Sequence, residues 1–106
     1  FISASHSDGS SVSLMEALAC GLPVIVSDIP GNLEWVREDE NGWLFHDGSV
    51  EELSVKMLLA AAEMKAVDRI KENNRSLAES RADWTRNFPV LLEAYDLAMQ
   101  SKVKND

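Results

Sequence analysis

The sequence has only one cysteine and no apolar run long enough to cross a membrane. A membrane-spanning helix takes about 20 consecutive apolar residues, and no segment of the 106 residues is apolar over that length. Cys20 lacks a second cysteine with which to form an internal disulfide, as is common in a reducing compartment. We therefore expect neither a transmembrane helix nor an internal disulfide in this chain.

Positive charge is scarce as well. Ten Lys and Arg residues stand against eighteen Asp and Glu residues, so the formal net charge is -8. An acidic chain is repelled by the phosphates of nucleic acids and by anionic lipid, and we predict no nucleic-acid partner. No spacing of His, Cys and acidic residues is typical of a zinc or calcium site, and we predict no metal.

The most informative stretch is a short apolar strand, Phe1–Ala4, followed by a loop of small and polar residues, Ser5–Ser11. A helix is predicted over Val12–Ala19, directly after this loop, with Leu14, Ala17 and Leu18 buried on one face at i, i+3 and i+4 spacing. Glycine in the loop lets a ligand approach the backbone closely. Because the N-terminus of a helix presents unpaired N–H groups and a positive dipole end, the stretch predicts a phosphate or pyrophosphate site.

A second buried strand is predicted over Pro23–Ser27, because Val24–Val26 is the short continuous apolar run expected of a strand that is covered on both faces. Gly21 ends the preceding helix in a left-handed conformation, and Pro23 prevents the helix from resuming. Strand, helix and strand then form a right-handed parallel crossover. The loop Asp28–Asn32 leaves the carboxyl end of the second strand, where loops line the ligand crevice of open α/β sheets. We predict an α/β fold, a partial Rossmann-like parallel sheet with a helical C-terminal tail.

The middle of the chain predicts shorter elements. These are a short helix over Leu33–Arg37, a solvated acidic loop over Glu38–Glu40, and a turn at Asn41–Gly42, whose residues tolerate positive φ. Trp43–Phe45 is predicted to be a third strand, since it is a short apolar run bounded by turn residues.

Three helices are predicted for the C-terminal tail. A helix begins with a capping box of Ser49 and Glu52 and runs to about Lys65. A more polar, solvent-facing helix covers about Ala66–Ser80, and a last helix covers about Asp83–Lys102, where Pro89 kinks or delays it. The last helix carries an apolar stripe of Trp84, Phe88, Leu91, Leu92, Tyr95 and Met99, and we expect Trp84, like Trp43, in the core.

The pattern Asp8-x7-Glu16, followed by the Ala17–Pro23 turn and the strand Val24–Val26, resembles the nucleotide-sugar site of glycosyltransferase family 4. These are retaining enzymes of GT-B fold with two Rossmann-like domains. Asp8 replaces a family Glu, and Ser10-Ser11 replace Phe-Gly. The resemblance covers about half of the chain. It implies that residues 1–106 are the C-terminal portion of a donor-binding domain.

The resemblance also implies roles for individual residues. Glu16 would accept hydrogen bonds from the ribose hydroxyls of the nucleotide, and Asp8 would contact the transferred sugar. Backbone amides at the start of the helix would meet the pyrophosphate. The implied donor-binding residues are Asp8, Gly9, Ser10, Ser11, Val12 and Glu16, with Asp8 as the catalytic one.

The implied enzyme transfers a sugar from a UDP- or GDP-sugar to a hydroxyl of a glycan, lipid or small molecule, with retention and without a cofactor. An N-terminal domain of the same enzyme would supply the acceptor pocket, and the last helix of this chain would pack on that domain. We therefore expect a fragment that is inactive alone. The implied location is cytoplasmic, and any attachment to the membrane surface would be through the N-terminal domain.

Several alternatives stay open at this point. Asp8 is also explained as a loop residue, and Glu16 as the second half of a capping box that begins at Ser13. His6 either orients a sugar or phosphate or is a locally bonded loop residue, and His46 is interpreted as the latter. For the whole chain, the alternatives are a non-catalytic nucleotide-binding α/β domain and a flavodoxin-like interaction module.

Overall fold

The computed structural model describes residues 1–104, apart from the side chains of Met64 and Lys104. Three strands alternate with helices in the first half of the chain, and the second half is helical. The elements are β1 (Ile2–Ser3), α1 (Val12–Ala19), β2 (Val24–Ser27), α2 (Pro30–Leu33), β3 (Gly42–Phe45), α3 (Val50–Ala62), a 3-10 turn (Met64–Ala66), α4 (Val67–Arg81) and α5 (Trp84–Lys104).

The three strands form a parallel sheet in the order β1-β2-β3. Ile2 of β1 lies opposite Ile25 of β2, and Val24 of β2 lies opposite Gly42 of β3. Because all strands run the same way, their carboxyl ends meet at one edge of the sheet. The predicted α/β fold with a parallel sheet is confirmed, and α1 starts and ends at the predicted residues.

The core lies on both faces of β2, whose four residues are all buried. Helix α1 covers one face, and α3 contributes to the other. This explains why β2 is a continuous apolar run and not an alternating one. The first face holds Leu14, Ala17, Leu18, Val24, Val26, Trp35, Val36 and Ala78, and the second holds Ile25, Trp43, Phe45 and Ile70.

The short helix after β2 differs from the prediction. Helix α2 covers Pro30–Leu33, not Leu33–Arg37. Proline is favoured in the first turn of a helix, because its fixed φ is helical and its missing N–H has no helical partner there. The backbone after α2 instead turns through Asn41, whose side-chain oxygen accepts from the Arg37 N–H at 2.8 Å.

The predicted Asn41–Gly42 turn is confirmed only for Asn41, since Gly42 lies in a strand. Gly42 begins β3, and a Cβ atom there would lie 2.5 Å from the carbonyl oxygen of Val24. Glycine is therefore required by the close approach of two strands. The residue with positive φ in this region is Asp39, at 61°.

Glu38 is not part of a solvated loop as predicted. Its carboxylate accepts a hydrogen bond from the Leu44 N–H at 2.6 Å and also pairs with the ammonium group of Lys56. Both side chains of this ion pair are half-buried. Glu38 thus joins the loop before β3 to the strand itself and to α3.

Helix α4 packs on α1 and is not solvent-facing as predicted. Ile70, Asn74 and Ala78 are buried on its inner face. The Asn74 amide donates to the carbonyl oxygens of Leu22 at 2.8 Å and Asn41 at 2.9 Å. One buried side chain thereby ties the segment before β2 to the segment before β3.

Helix α5 leaves its apolar stripe exposed, and the expectation that Trp84 lies in the core is wrong. Trp84 is 64% exposed, whereas Trp43 is 1% exposed, as predicted. The Trp84 ring contacts Phe88 of the same helix at a centroid distance of 5.2 Å. Among the helices between residues 1 and 104, we find none that combines the length and the apolarity needed to cross a membrane.

We predict that Asn74→Ala destabilises the fold by about 1–3 kcal/mol, because the carbonyl oxygen of the buried Asn41 and that of Leu22, in a partly buried bond, lose their donor. The matched control is Asn73→Ala. Its amide donates to the Glu40 carbonyl oxygen at an exposed site, where water replaces the lost bond and the expected cost is about 0.5 kcal/mol or less. Chemical denaturation of the polypeptide that contains this chain measures both. Equal losses for the two variants would contradict the structural role of Asn74.

Candidate functional site

The candidate site lies at the carboxyl edge of the sheet. The loop after β1, which we call the site loop (Ser5–Ser11), lies there beside the loops that follow β2 and β3. Ligands of open α/β sheets bind outside the carboxyl ends of the strands. The site loop lies at the edge of the sheet that the sequence predicted for it.

The predicted donor-binding residues lie along the site loop and the outer face of α1. Asp8, Gly9 and Ser10 are exposed, Val12 is exposed at the first helical position, and Ser11 is half-buried. Ser11 caps the helix, since its hydroxyl oxygen accepts from the Leu14 N–H at 3.3 Å. The first N–H groups of α1 therefore point into the site loop.

Glu16 is exposed on α1, one turn beyond Val12 and on the same face. It borders a groove of about 360 Å³ between α1 and α4. The capping-box alternative for Glu16 is wrong, because the cap is Ser11 and Ser13 lies inside the helix. The structure thus leaves this carboxylate without a capping role. The groove is lined by Val12, Met15, Glu16, Ala19, Arg75, Ala78, Glu79, Ala82 and Asp83.

The direction of α1 is set by its buried face and by the turn that follows it. Leu14, Ala17 and Leu18 are buried against the sheet, at the predicted spacing. Gly21 has a φ of +71°, and a Cβ atom there would lie 2.6 Å from the Lys71 side chain. The prediction that Gly21 adopts a left-handed conformation is confirmed. The absence of a side chain at Gly21 also leaves room for Lys71 of α4.

Two buried polar residues join the loop after β2 to the site loop. The Ser27 hydroxyl donates to the Ser5 carbonyl oxygen at 2.6 Å. The Asn32 amide donates to the Ser27 carbonyl oxygen at 3.0 Å. Ser27 and Asn32 are 0% and 2% exposed, respectively, so water cannot readily replace these bonds.

Gly31 touches the site loop directly. A Cβ atom at Gly31 would lie 2.2 Å from the carbonyl oxygen of Gly9 and 2.8 Å from that of Asp8. Any side chain at this position would displace the backbone that carries Asp8. The site loop is therefore packed directly against the backbone of Gly31, with no side chain between them.

Two histidine–aspartate pairs lie at the same edge. His6 Nδ1 is 2.5 Å from an Asp47 carboxylate oxygen, and His46 Nδ1 is 3.3 Å from an Asp28 carboxylate oxygen. The Asp47 N–H donates to the other Asp28 oxygen at 2.9 Å. This bond, and next the bond with His46, lowers the pKa of Asp28 from its usual value. Asp28 thus favours the fold at neutral pH, and this contribution is lost as the pH falls through the lowered pKa.

Sequence reasoning missed the contacts of Ser27, Gly31 and Asn32. It left His6 open between a ligand-orienting role and a local one, gave His46 only a local role, and predicted neither aspartate partner. A polar residue at the end of an otherwise apolar strand was the available signal for Ser27. The Pro30-Gly31 pair was assigned to a crevice loop, but its partner lies more than twenty positions earlier in the sequence. Local pattern does not identify such a partner.

A larger groove of about 730 Å³ lies near the amino end of β3. It contains none of the predicted donor-binding residues. Within it, the Arg81 guanidinium stacks over the Trp35 ring at 4.5 Å from the centroid. The groove is lined by Glu34, Trp35, Arg37, Asp39, Glu40, Asn41, Arg69, Asn73, Ser76, Leu77, Ser80 and Arg81.

Comparison with known proteins gives a family match. A model of the family described as glycosyl transferases group 1 matches residues 1–77. The chain is also similar to spore coat protein SA of Bacillus subtilis, with 34% identity over 84 residues. That alignment covers 76% of this chain but only 22% of the relative.

Solved structures share the fold. Sucrose-phosphate synthase from Thermosynechococcus elongatus superposes with a TM-score of 0.87 at 21% identity, covering 94% of this chain and 25% of that one. Anabaena Alr3699/HepE, solved in complex with UDP, superposes with a TM-score of 0.78 at 23% identity, covering 90% of this chain and 26% of that one. These likenesses support the α/β fold described above.

We predict that Ser11→Ala destabilises the fold by about 0.5–2 kcal/mol, since α1 loses its N-cap. Ser13→Ala, inside the helix, should change the free energy of unfolding by about 0.5 kcal/mol or less. Chemical denaturation distinguishes the two. A cost for Ser13→Ala as large as that for Ser11→Ala would show that the helix is capped by Ser13 instead.

Proposed function

Because the chain belongs to the group 1 glycosyl transferases, we propose that it forms part of the nucleotide-sugar site of a retaining glycosyltransferase of family 4. Residues 1–106 would be the C-terminal portion of the donor-binding domain. The chain spans only 22% of its relative from Bacillus subtilis, and the acceptor pocket would come from an N-terminal domain of the same enzyme.

One observation carries the proposal: the exposed site loop opens onto the capped start of α1, with a carboxylate before the helix and another one turn inside it. The site loop contains no Lys or Arg. Charge on a pyrophosphate would therefore be met here by the backbone N–H groups of Ser10, Ser11 and Val12 and by the helix dipole. Backbone donors do not depend on side-chain identity, so Ser10-Ser11 can replace Phe-Gly.

Glu16 would accept two hydrogen bonds from the vicinal hydroxyls of the ribose. A carboxylate has four lone-pair sites and no donor, which suits a diol. Its exposed position beside the groove between α1 and α4 leaves it free to take this role. The nucleoside would then lie along the outer face of α1.

Asp8 would contact hydroxyls of the transferred sugar. It precedes the helix by several residues, so it lies on the far side of the pyrophosphate from Glu16. Its side chain is one methylene shorter than that of the family Glu, a difference of about 1 Å in reach. Asp8 is thus the residue whose variation would bear most directly on turnover.

In the proposed reaction, the bond between the anomeric carbon and the diphosphate oxygen breaks, and the diphosphate leaves with the electron pair. The acceptor oxygen bonds to the same face of the anomeric carbon, and the acceptor proton passes to the diphosphate. The chain would promote this step by stabilising charge on the leaving group and by positioning the sugar. No protein nucleophile and no cofactor take part.

UDP-sugars are the first donors to test, because a protein of the same fold was solved with UDP, and GDP-sugars are the next. The acceptor would be a hydroxyl of a glycan, lipid or small molecule. The isolated chain would bind part of the donor without transferring sugar. We propose a cytoplasmic enzyme, attached to the membrane surface, if at all, through its N-terminal domain.

We predict that Glu16→Ala weakens binding of UDP or GDP by about 1–3 kcal/mol, because hydroxyls of the bound ribose lose their acceptor. Glu79→Ala is the matched control, since Glu79 borders the same groove from α4 and has no proposed ligand. Isothermal titration with the full-length protein measures both affinities. Unchanged affinity for Glu16→Ala, or an equal loss for Glu79→Ala, would refute the ribose role.

We predict a different result for Asp8→Asn. Turnover should fall by about tenfold or more, the usual effect of losing a transition-state contact, whereas affinity for the free nucleoside diphosphate should stay within about twofold because that ligand lacks the sugar. Steady-state kinetics and titration measure the two quantities. Asp8→Glu tests reach directly, since it restores the family side chain. The sugar role would be wrong if Asp8→Asn left turnover intact or weakened the nucleoside diphosphate as strongly as the intact donor.

A further inference from the structure

We propose that the segment Ser27–Asn32 positions the site loop for sugar transfer, and that Gly31 sets the location of Asp8. This inference rests on the proposed function and adds positioning residues to it. The segment need not touch the substrate. It acts through two direct contacts with the site loop, at Ser5 and at the Asp8–Gly9 peptide, and through one indirect contact, in which Asp28 holds Asp47 beside His6.

The first contact holds the beginning of the site loop. Ser27 lies at the carboxyl end of β2 and is completely buried, and its hydroxyl donates to the Ser5 carbonyl oxygen at 2.6 Å. Asn32 holds Ser27 from the other side through the bond to its carbonyl oxygen. Both residues are buried, so loss of either bond would leave a polar group without water.

The second contact runs through two carboxylates. The Asp28 carboxylate accepts the Asp47 N–H at 2.9 Å, which places the Asp47 side chain beside His6. His6 Nδ1 lies 2.5 Å from a carboxylate oxygen of Asp47. This contact is more exposed than the first, and its contribution to positioning is the smaller one.

The third contact determines where Asp8 lies. A methyl group at Gly31 would be 2.2 Å from the Gly9 carbonyl oxygen and 2.8 Å from that of Asp8. Because real side chains do not approach so closely, the Asp8–Gly9 peptide would have to move by about 1 Å, a displacement that can cost a hundredfold in rate when it affects a reacting group.

The site loop is the part that would move. Segment Ser27–Asn32 is anchored by Ile29, which is 5% exposed, and by Asn32, which is 2% exposed. Asp8, Gly9 and Ser10 are exposed and have no such anchor in their own side chains. Helix α1 is held independently by its buried leucines, so a change at Gly31 should affect Asp8 more than Glu16.

The test compares Gly31→Ala with Gly42→Ala in the full-length protein. A Cβ atom at Gly42 would lie 2.5 Å from the Val24 carbonyl oxygen, a similar steric conflict inside the sheet. For Gly31→Ala we expect kcat to fall by about 10- to 100-fold, with affinity for UDP or GDP within about threefold of the wild type. For Gly42→Ala we expect a lower Tm, but no fall in kcat that is selective over the affinity for UDP or GDP.

Each outcome decides a different question. If the wild type neither binds UDP or GDP nor turns over UDP-, GDP- or ADP-sugars, the proposed function itself fails. If the wild type is active, three results for Gly31→Ala would show that the positioning role is wrong. These are an unchanged kcat, an equal loss of kcat and of affinity for UDP or GDP, and a lower Tm with no selective loss of kcat, as expected for Gly42→Ala.

Ser27→Ala decides the question if Gly31→Ala does not fold. It removes the bond to Ser5 without adding an atom. We expect kcat to fall by about three- to tenfold, again with little change in the affinity for UDP or GDP. A kcat equal to that of the wild type would overturn the inference.

Discussion

The burial of one face of α1 against β2 is the interaction on which the candidate site depends. Leu14 and Leu18 are 1% and 0% exposed, and they pack with Val24 and Val26 of the central strand. Burial of a leucine of this kind stabilises a fold by about 1.5–3 kcal/mol. Because α1 cannot rotate without exposing these residues, its N-terminus stays at the carboxyl edge of the sheet. The site loop, which ends at this N-terminus, is therefore held at one end by the core.

Local patterns predicted the elements that this packing uses. The spacing of Leu14, Ala17 and Leu18 identified α1, Gly21 identified its end, and the run Val24–Val26 identified a strand buried on both faces. Each of these signals is contained within a few neighbouring residues, as are the helix cap and the turn that they require. The fold class and the position of the site loop beside the sheet could be predicted for this reason.

Several of the errors have a different cause, since they concern residues whose partners are distant in sequence. Glu38 was assigned to solvent, yet it pairs with Lys56 and with the Leu44 N–H. Asn41 lies in a turn as predicted, but the bond that its carbonyl oxygen accepts from the Asn74 amide of α4 was missed. Trp84 was assigned to the core because its stripe is apolar, and no local signal indicates that α5 presents this stripe to solvent. The contact between Gly31 and the site loop was missed on the same grounds.

The central claim is that the start of α1 binds the pyrophosphate of a nucleotide through backbone N–H groups. Hydrogen exchange of the full-length protein, measured by mass spectrometry at single-residue resolution with and without UDP or GDP, tests it most directly. We expect slower exchange at Ser10, Ser11 and Val12 when nucleotide is bound, because these amides become donors to the ligand. Bound nucleotide that leaves these amides unchanged, or protects only the groove around Trp35 and Arg81, would show that the pyrophosphate does not bind at the start of α1.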